Sequence, residues 1–196
     1  MRVEFADNEK TRFTRMCIGE AVVKLLKQMD FSSLKISDIV RRAGVSRTTF
    51  YQYYTTPYSV LTDYLSILVS EYLQKSKLQN PKRQFFTYAH ILFSLQFFDG
   101  YADFFLTLSE KKLHSVMLDG INTFMTQHIR TDSRLSVYEL YSYAGGLLNT
   151  FLKWEEEGKK DSAEEIANTI YRMYARQARE ITTEPVRGRA ARNNSE

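Results

Sequence analysis

Between Arg47 and Tyr53 the chain reads Arg-Thr-Thr-Phe-Tyr-Gln-Tyr, a run rich in side chains that can read hydrogen-bonding edges. An arginine can pair bidentately with guanine, a glutamine can read adenine, and threonine methyls can touch thymine. Arg47, Gln52, Thr48 and Thr49 thus have the chemistry of base recognition, provided that something holds them on one open face. The flanking residues supply that support. Ile36, Ile39, Val40 and Ala43 fall at i, i+3, i+4 and i+7, which predicts one apolar face of a short helix. Gly44 stops it, because helices commonly end on a residue of positive φ and glycine adopts that conformation without a Cβ clash. Ser46 then supplies an N-cap hydroxyl for the next turn. The second helix starts at Arg47 and turns Phe50 and Tyr54 inward, leaving Arg47, Thr48, Thr49, Tyr51, Gln52 and Tyr53 largely outward. Two short helices joined by a Gly-containing turn have the form of a helix-turn-helix. An ordinary helical corner that buries Phe50 satisfies the same spacing, so spacing alone leaves both readings open.

The string Ala-Gly-Val-Ser-Arg-Thr-Thr-Phe-Tyr-Gln-Tyr-Tyr, preceded by Leu-Lys-Ile-Ser-Asp-Ile, resembles the DNA-binding signature of TetR-type transcriptional regulators. The resemblance runs from Thr11 through Phe31 and on to Leu61, with Gly44, Val45, Ser46, Thr49 to Tyr51 and Tyr54 in register. It implies that Ser46, Arg47, Thr48, Thr49 and Gln52 meet the DNA. Tyr51, Tyr53 and Ser37 would contact phosphates, which position the protein without specifying sequence. The start of the first helix reaches the phosphate backbone in such proteins, which implicates Arg12, with a solvated charge as the alternative. There is one departure. The family usually opens the next helix with a phosphate-contacting lysine, and this chain has Pro57 there, with Thr56 as its cap.

With 196 residues and 43% hydrophobic content, the chain can bury one or two small cores. Only three prolines and eight glycines, with few alternating β-branched runs, indicate an all-α protein of about nine helices. The net charge of +4 permits nucleic-acid binding without demanding it. A single cysteine, Cys17, excludes an internal disulfide framework, and it reads as a small core residue rather than a reactive thiol. No apolar run approaches the ~20 residues of a membrane span, and the N-terminal residues do not read as a secretion signal. The expectation is a cytoplasmic protein with no membrane partner. The expected organisation is an N-terminal arm and DNA-binding head over 1–56, a helical effector-binding and dimerisation domain over 57–180, and a basic, disordered tail over 181–196.

Downstream, Leu61, Leu65, Leu68, Tyr72 and Leu73 predict a long helix from Pro57 to about Asn80, with no flexible linker to uncouple the head. The stripe of Ile18, Ala21, Val22, Leu25 and Leu26, extended by Phe13 and Cys17, is the expected face of the first helix against the head. From Phe85 to Leu118 the chain is dense in aromatics and predicts two or three helices broken near Asp99 and Gly100. Phe86, His90, Phe93, Phe97, Tyr101 and Phe105 are the candidate lining of a small-molecule pocket, with Gln96, His114 and His128 as further polar handles. A solid aromatic core is an equal alternative; the resemblance tilts the balance towards a pocket. No two histidines stand at i+3 or i+4, so no metal is expected, and no cofactor is implied.

Gly120 to Ile129 predicts one more short helix. Two stronger helices follow, the first with Gly145 and Gly146 embedded at positions where another backbone could approach, and with Gly158 at its C-terminal stop. The run Glu155 to Glu157 reads as a solvated turn. The last helix opens on a Ser162–Glu165 capping box. From Tyr143 to Ile170 the chain is loosely similar to the branch containing the dihydroxyacetone kinase regulators. That likeness implies a homodimer formed by the last two helices, through Tyr141, Ala144, Leu148, Phe151, Ile170 and Tyr174.

The expected function is a homodimeric repressor that reads a pseudo-palindromic site on double-stranded DNA and responds to an apolar or aromatic effector. A TetR-like adaptor with reduced DNA contacts, suggested by Pro57, is the alternative. An enzyme is not supported: there is no nucleophile with a base at recognisable spacing, no phosphate-cradling glycine loop and no ligand cluster.

Overall fold

A computed structural model describes residues 8–79, 86–129 and 136–183. The arm before Asn8, Phe85, the connection 130–135, the tail beyond residue 183 and the side chains of His128 and Ala178 lie outside the described residues. Among the described residues the chain is all helical, as expected. The head comprises α1 (Glu9–Leu26), a 3-10 turn at Phe31–Ser33, α2 (Ile36–Ala43) and α3 (Arg47–Tyr53), and it leads into α4 (Pro57–Gln79). The body comprises α5 (Tyr88–Asp99), α6 (Ala102–Glu110), α7 (His114–Phe124) with a π-helical turn at Met125–Ile129, α8 (Val137–Glu156) and α9 (Ala163–Thr183).

Each boundary in the head has a local cause. Asn8 caps α1 by accepting from the Thr11 amide at 2.8 Å, so the helix begins at Glu9, ahead of its apolar stripe. Gly44 ends α2 at φ +69°, and Ser46 opens α3 by accepting the Thr49 amide at 2.9 Å. Pro57 occupies the first turn of α4, where Thr56 accepts the Ser59 amide at 3.2 Å and Ser59 Oγ returns a bond to the Thr56 carbonyl at 2.7 Å. Proline fits because that position has no helical partner for an N–H to lose.

One continuous apolar cluster runs from Ile18 in α1 to Ile170 in α9, so head and body share a core. α4 carries this continuity: it packs on α1 at one end and on α5 and α7 at the other. Two glycines set how closely helices approach. A Cβ on Gly19 would stand 2.2 Å from Tyr64 Cδ2, and one on Gly120 would stand 2.3 Å from Leu65 Cδ2. The second contact corrects the expected helix start at Gly120. The helix begins at His114, and Gly120 is an interior position that lets α7 press onto α4. Phe13 does not extend the apolar stripe of α1; it is 70% exposed.

α8 also differs from expectation. Ala144, Leu148, Phe151 and, on α9, Ile170 are buried within the chain, because α6 and α7 pack against α8 and α5 packs against α9. These four residues belong to the chain's own core, and an interface resting on them gives way. Tyr174 is half-buried against the Tyr143 ring at 4.7 Å, and Tyr141 remains 43% exposed. Beside Gly146 the nearest group is the Tyr174 hydroxyl, and Gly145 faces open space. Glu155 is not part of a solvated turn: it is buried near Asp99 and Lys159. The capping boxes at Ser136–Glu139 and Ser162–Glu165 both form; only the second was legible beforehand.

Candidate nucleic-acid interface and buried cavity

α3 is seven residues long and is held by one fully buried side chain, Phe50. Positions 47, 48, 51 and 52 form a strip on the opposite side, and Arg47, Thr48, Tyr51 and Gln52 are all exposed there. Among the described residues the Arg47 guanidinium makes no hydrogen bond or ion pair, so its five donors are available. Thr49 and Tyr53 lie at the half-buried flanks of the strip. The Thr49 hydroxyl stands 2.9 Å from Ser46 Oγ, which makes Ser46 and Thr49 parts of the cap as well as the edge of this face. Ser37 is half-buried in the first turn of α2.

Arg12 is placed differently from the expectation. Its Nη2 reaches Glu71 Oε2 on α4 at 3.2 Å, so in this arrangement it ties α1 to the long helix instead of projecting outward. Glu71 also receives Lys75 at 2.8 Å. Lys75 foremost holds the Glu71 carboxyl below the usual range.

α3 is anchored by a triad that sequence reasoning missed. Tyr54, at the C-cap of α3, donates its hydroxyl to Asp63 Oδ2 on α4 at 2.6 Å. Arg15 of α1 grips the same carboxylate with Nε at 2.8 Å and Nη2 at 2.5 Å. This fork gives Asp63 a charge-assisted, directional partner. Its hydrogen bonds raise the Arg15 pKa, and burial foremost raises that of Tyr54. The partners lie 48 and 9 positions from Asp63, so no local spacing announces them.

Between α4, α5, α7 and α8 lies a cavity of about 70 Å³, or about 780 Å³ of unfilled space when its open mouth is counted. The smaller figure describes the interior and is several times the ~10–15 Å³ that one water requires. Of the six residues expected to line a pocket, His90 and Phe105 do so. Phe86, Phe93, Phe97 and Tyr101 do not; Phe93 and Phe97 pack around the Tyr72 ring at 5.7 and 5.4 Å, and Phe86 sits 4.7 Å from the Tyr143 ring. Leu65, Val69 and Tyr72 from α4 and Leu148 and Phe151 from α8 take their places. His114 lies outside the cavity, beside Ser109 at 3.4 Å.

One wall is polar. Tyr72 Oη is 2.7 Å from His90 Nε2 and 2.8 Å from Ser94 Oγ, and Ser94 donates to the His90 carbonyl at 2.8 Å. Since Ser94 uses its proton there, Tyr72 donates to Ser94 and His90 donates from Nε2 to Tyr72. Burial pushes the His90 pKa down to about 4, which keeps the imidazole neutral at pH 7. Among the described residues no group of three or more His, Cys, Asp or Glu could hold a metal ion. No single helix there is long and apolar enough to cross a membrane; α5 and α6 pass that test only as a pair bent by 74°.

Residues 18–56 match the family model described as bacterial regulatory proteins, tetR family. Among solved structures, one described as a TetR-family transcriptional regulator from Syntrophomonas wolfei str. Goettingen superposes with a TM-score of 0.60 at 14% identity, over 92% of this chain and 100% of that one. The dihydroxyacetone kinase operon activator DhaS gives a TM-score of 0.54 at 18% identity, over 85% of this chain and 97% of that one. The transcriptional regulator FadR from Bacillus subtilis, solved in complex with stearoyl-CoA, gives 0.50 at 16% identity, over 81% of this chain and 96% of that one. No curated protein matches the chain by sequence. At these identities the structural likeness shows the fold alone, and the family model is matched by residues 18–56 of the head.

Proposed function

For a chain whose residues 18–56 match the model of bacterial regulatory proteins of the tetR family and whose fold resembles that of a TetR-family regulator, we propose a homodimeric repressor that an apolar or aromatic effector releases from DNA. The single observation that carries this reading is α3. A short helix buries only Phe50, is tied at its C-cap through Tyr54 to Asp63, and presents Arg47, Thr48, Tyr51 and Gln52 to solvent. In the proposed complex Arg47 reads guanine and Gln52 reads adenine. Thr48 and Thr49 touch thymine methyls, while Tyr51, Tyr53 and Ser37 settle on phosphates. Two such heads on a two-fold axis would meet successive major grooves of a pseudo-palindromic site.

The cavity supplies the control. It is lined by Leu65, Val69 and Tyr72 of α4, and the same helix bears Asp63, which holds both Tyr54 and Arg15. A ligand that favours a displaced α4 would shift the ends of α1 and α3 together and change the separation of the two heads. The loss of DNA affinity then equals the ligand's preference for the displaced state. That FadR was solved with stearoyl-CoA, whose acyl chain is apolar, supports a site for apolar groups in this fold. The reading places the protein in the cytoplasm, with its DNA.

Fluorescence anisotropy against the chain's own upstream DNA tests the proposal across a salt series. Binding that weakens linearly in log affinity against log salt is expected. Arg47→Ala should lower discrimination at one base pair by about 1–3 kcal/mol while leaving the dimer intact. Unchanged affinity and sequence preference in that variant would remove α3 as the reading element.

A further inference from the structure

Among the described residues the cavity lining holds no lysine, arginine, aspartate or glutamate. Its polar groups are Tyr72, His90, Ser94 and Tyr143. The first three satisfy one another in the chain Nε2–H of His90 to Tyr72 to Ser94 to the His90 carbonyl. Tyr143 is different. It is 3% exposed, and among the described residues its hydroxyl makes no hydrogen bond, although its ring is fixed between Phe86 and Tyr174 at 4.7 Å from each. Tyr143 lines the cavity and its hydroxyl is not sealed off as a buried orphan, so an entering ligand atom can become its partner in a wall that offers few others.

We propose that the effector is an uncharged, largely apolar molecule bearing a hydrogen-bond acceptor, such as a carbonyl or ether oxygen, which accepts from the Tyr143 hydroxyl. This rests on reading the cavity as the effector site, and it specifies which chemistry that site takes. A carboxylate or an ammonium entering this lining would leave its water shell and meet no counter-charge among the described residues. His90 offers none, since burial keeps the imidazole neutral at pH 7. Tyr72, which meets it from α4, is uncharged as well. Selection therefore works by exclusion of charge together with one donor, a strong discriminator between molecules of equal shape.

Four small probes of nearly one shape test it in calorimetry and thermal-shift measurements on the full chain at pH 7.5: ethylbenzene, acetophenone, benzoate and benzylamine. Acetophenone should bind about three- to tenfold more tightly than ethylbenzene, the worth of one hydrogen bond. Benzoate and benzylamine should bind at least about fiftyfold more weakly than acetophenone. Tyr143→Phe keeps the ring and should bring acetophenone down to the affinity of ethylbenzene, with ethylbenzene itself unchanged. Benzoate binding as well as acetophenone, or Tyr143→Phe leaving acetophenone unaffected, would overturn the assignment while the effector reading stands. If none of the four binds, the effector reading falls and takes this one with it. Should Tyr143→Phe fail to fold, the ratio of acetophenone to benzoate affinity in the unsubstituted chain decides alone.

Discussion

At the scale of single residues, the groups that position the reading helix are those that touch no DNA in the proposed complex. Asp63 holds Arg15 in a two-pronged grip and accepts the Tyr54 hydroxyl, with only 11% and 19% of the Arg15 and Asp63 side chains exposed. Removing the carboxylate strands a mostly buried guanidinium and a tyrosine hydroxyl together. Asp63→Ala is expected to cost about 2–3 kcal/mol, which lowers Tm by about 4–12 °C for a chain of this size. A calorimetric melt checks it, and a variant melting with the parent would show that the triad contributes nothing to stability. Glu155 behaves in the opposite sense. Burial first, and the neighbouring Asp99 carboxyl second, push its pKa above the ordinary 4.5, and its Oε1 is buried without a partner. A raised folded-state pKa means that its favourable contribution is complete below the unfolded value and is lost as pH rises through the folded one. Glu155→Gln removes that loss, so the variant's Tm should fall less than the parent's between pH 4.5 and pH 7. A steeper fall in the variant would show that the pair with Lys159 outweighs the burial.

At the scale of elements, much of the head could be read from sequence because its signals are local. Ile36, Ile39, Val40 and Ala43 share a face, Gly44 needs positive φ, and Ser46 caps three residues ahead. The Ser162–Glu165 box at the start of α9 belongs to the same class. What stayed hidden is non-local. Arg15 and Asp63 are 48 positions apart, and Tyr72 meets His90 across 18. Phe93 and Phe97 looked like pocket residues because an aromatic stripe shows that a face is buried, not whether a cavity or a ring lies opposite. Gly120 was read as the start of a helix when it is an interior position that admits Leu65. Its substitution follows from that contact: Gly120→Ala gains helix propensity of about 1 kcal/mol but drives a methyl into Leu65 Cδ2. Overpacking of this kind costs about 1–3 kcal/mol. The net expectation is a destabilised chain, read by urea unfolding as a lower midpoint at unchanged slope. A higher midpoint would mean that α4 and α7 separate freely.

At the scale of the whole molecule, the question is what lies against the outer side of α8 and α9. Tyr138 is 79% exposed, Tyr141 43% and Met173 63%, and Gly145 opens onto empty space. Tyr138, Tyr141 and Gly145 recur at i, i+3 and i+7, one strip of α8 turned away from the chain's own core. Aromatic residues and methionine are the types enriched where proteins meet, and a glycine within such a strip lets a second helix come close. This is the surface on which the proposed two-fold axis would fall, displaced from the inward stripe of Ala144, Leu148 and Phe151. The double variant Tyr141→Glu with Met173→Glu puts like charges on facing copies without touching the cavity or α3. Light scattering after gel filtration should show it monomeric at concentrations where the parent is a dimer, with the same helical circular dichroism. Each head would then bind DNA alone, and anisotropy should report operator affinity reduced by at least about a hundredfold, since the second head no longer binds as an intramolecular event. A variant that stays dimeric would move the axis to another face. A monomeric variant with undiminished operator affinity would mean that one head suffices, and control through the spacing of heads would lose its physical basis.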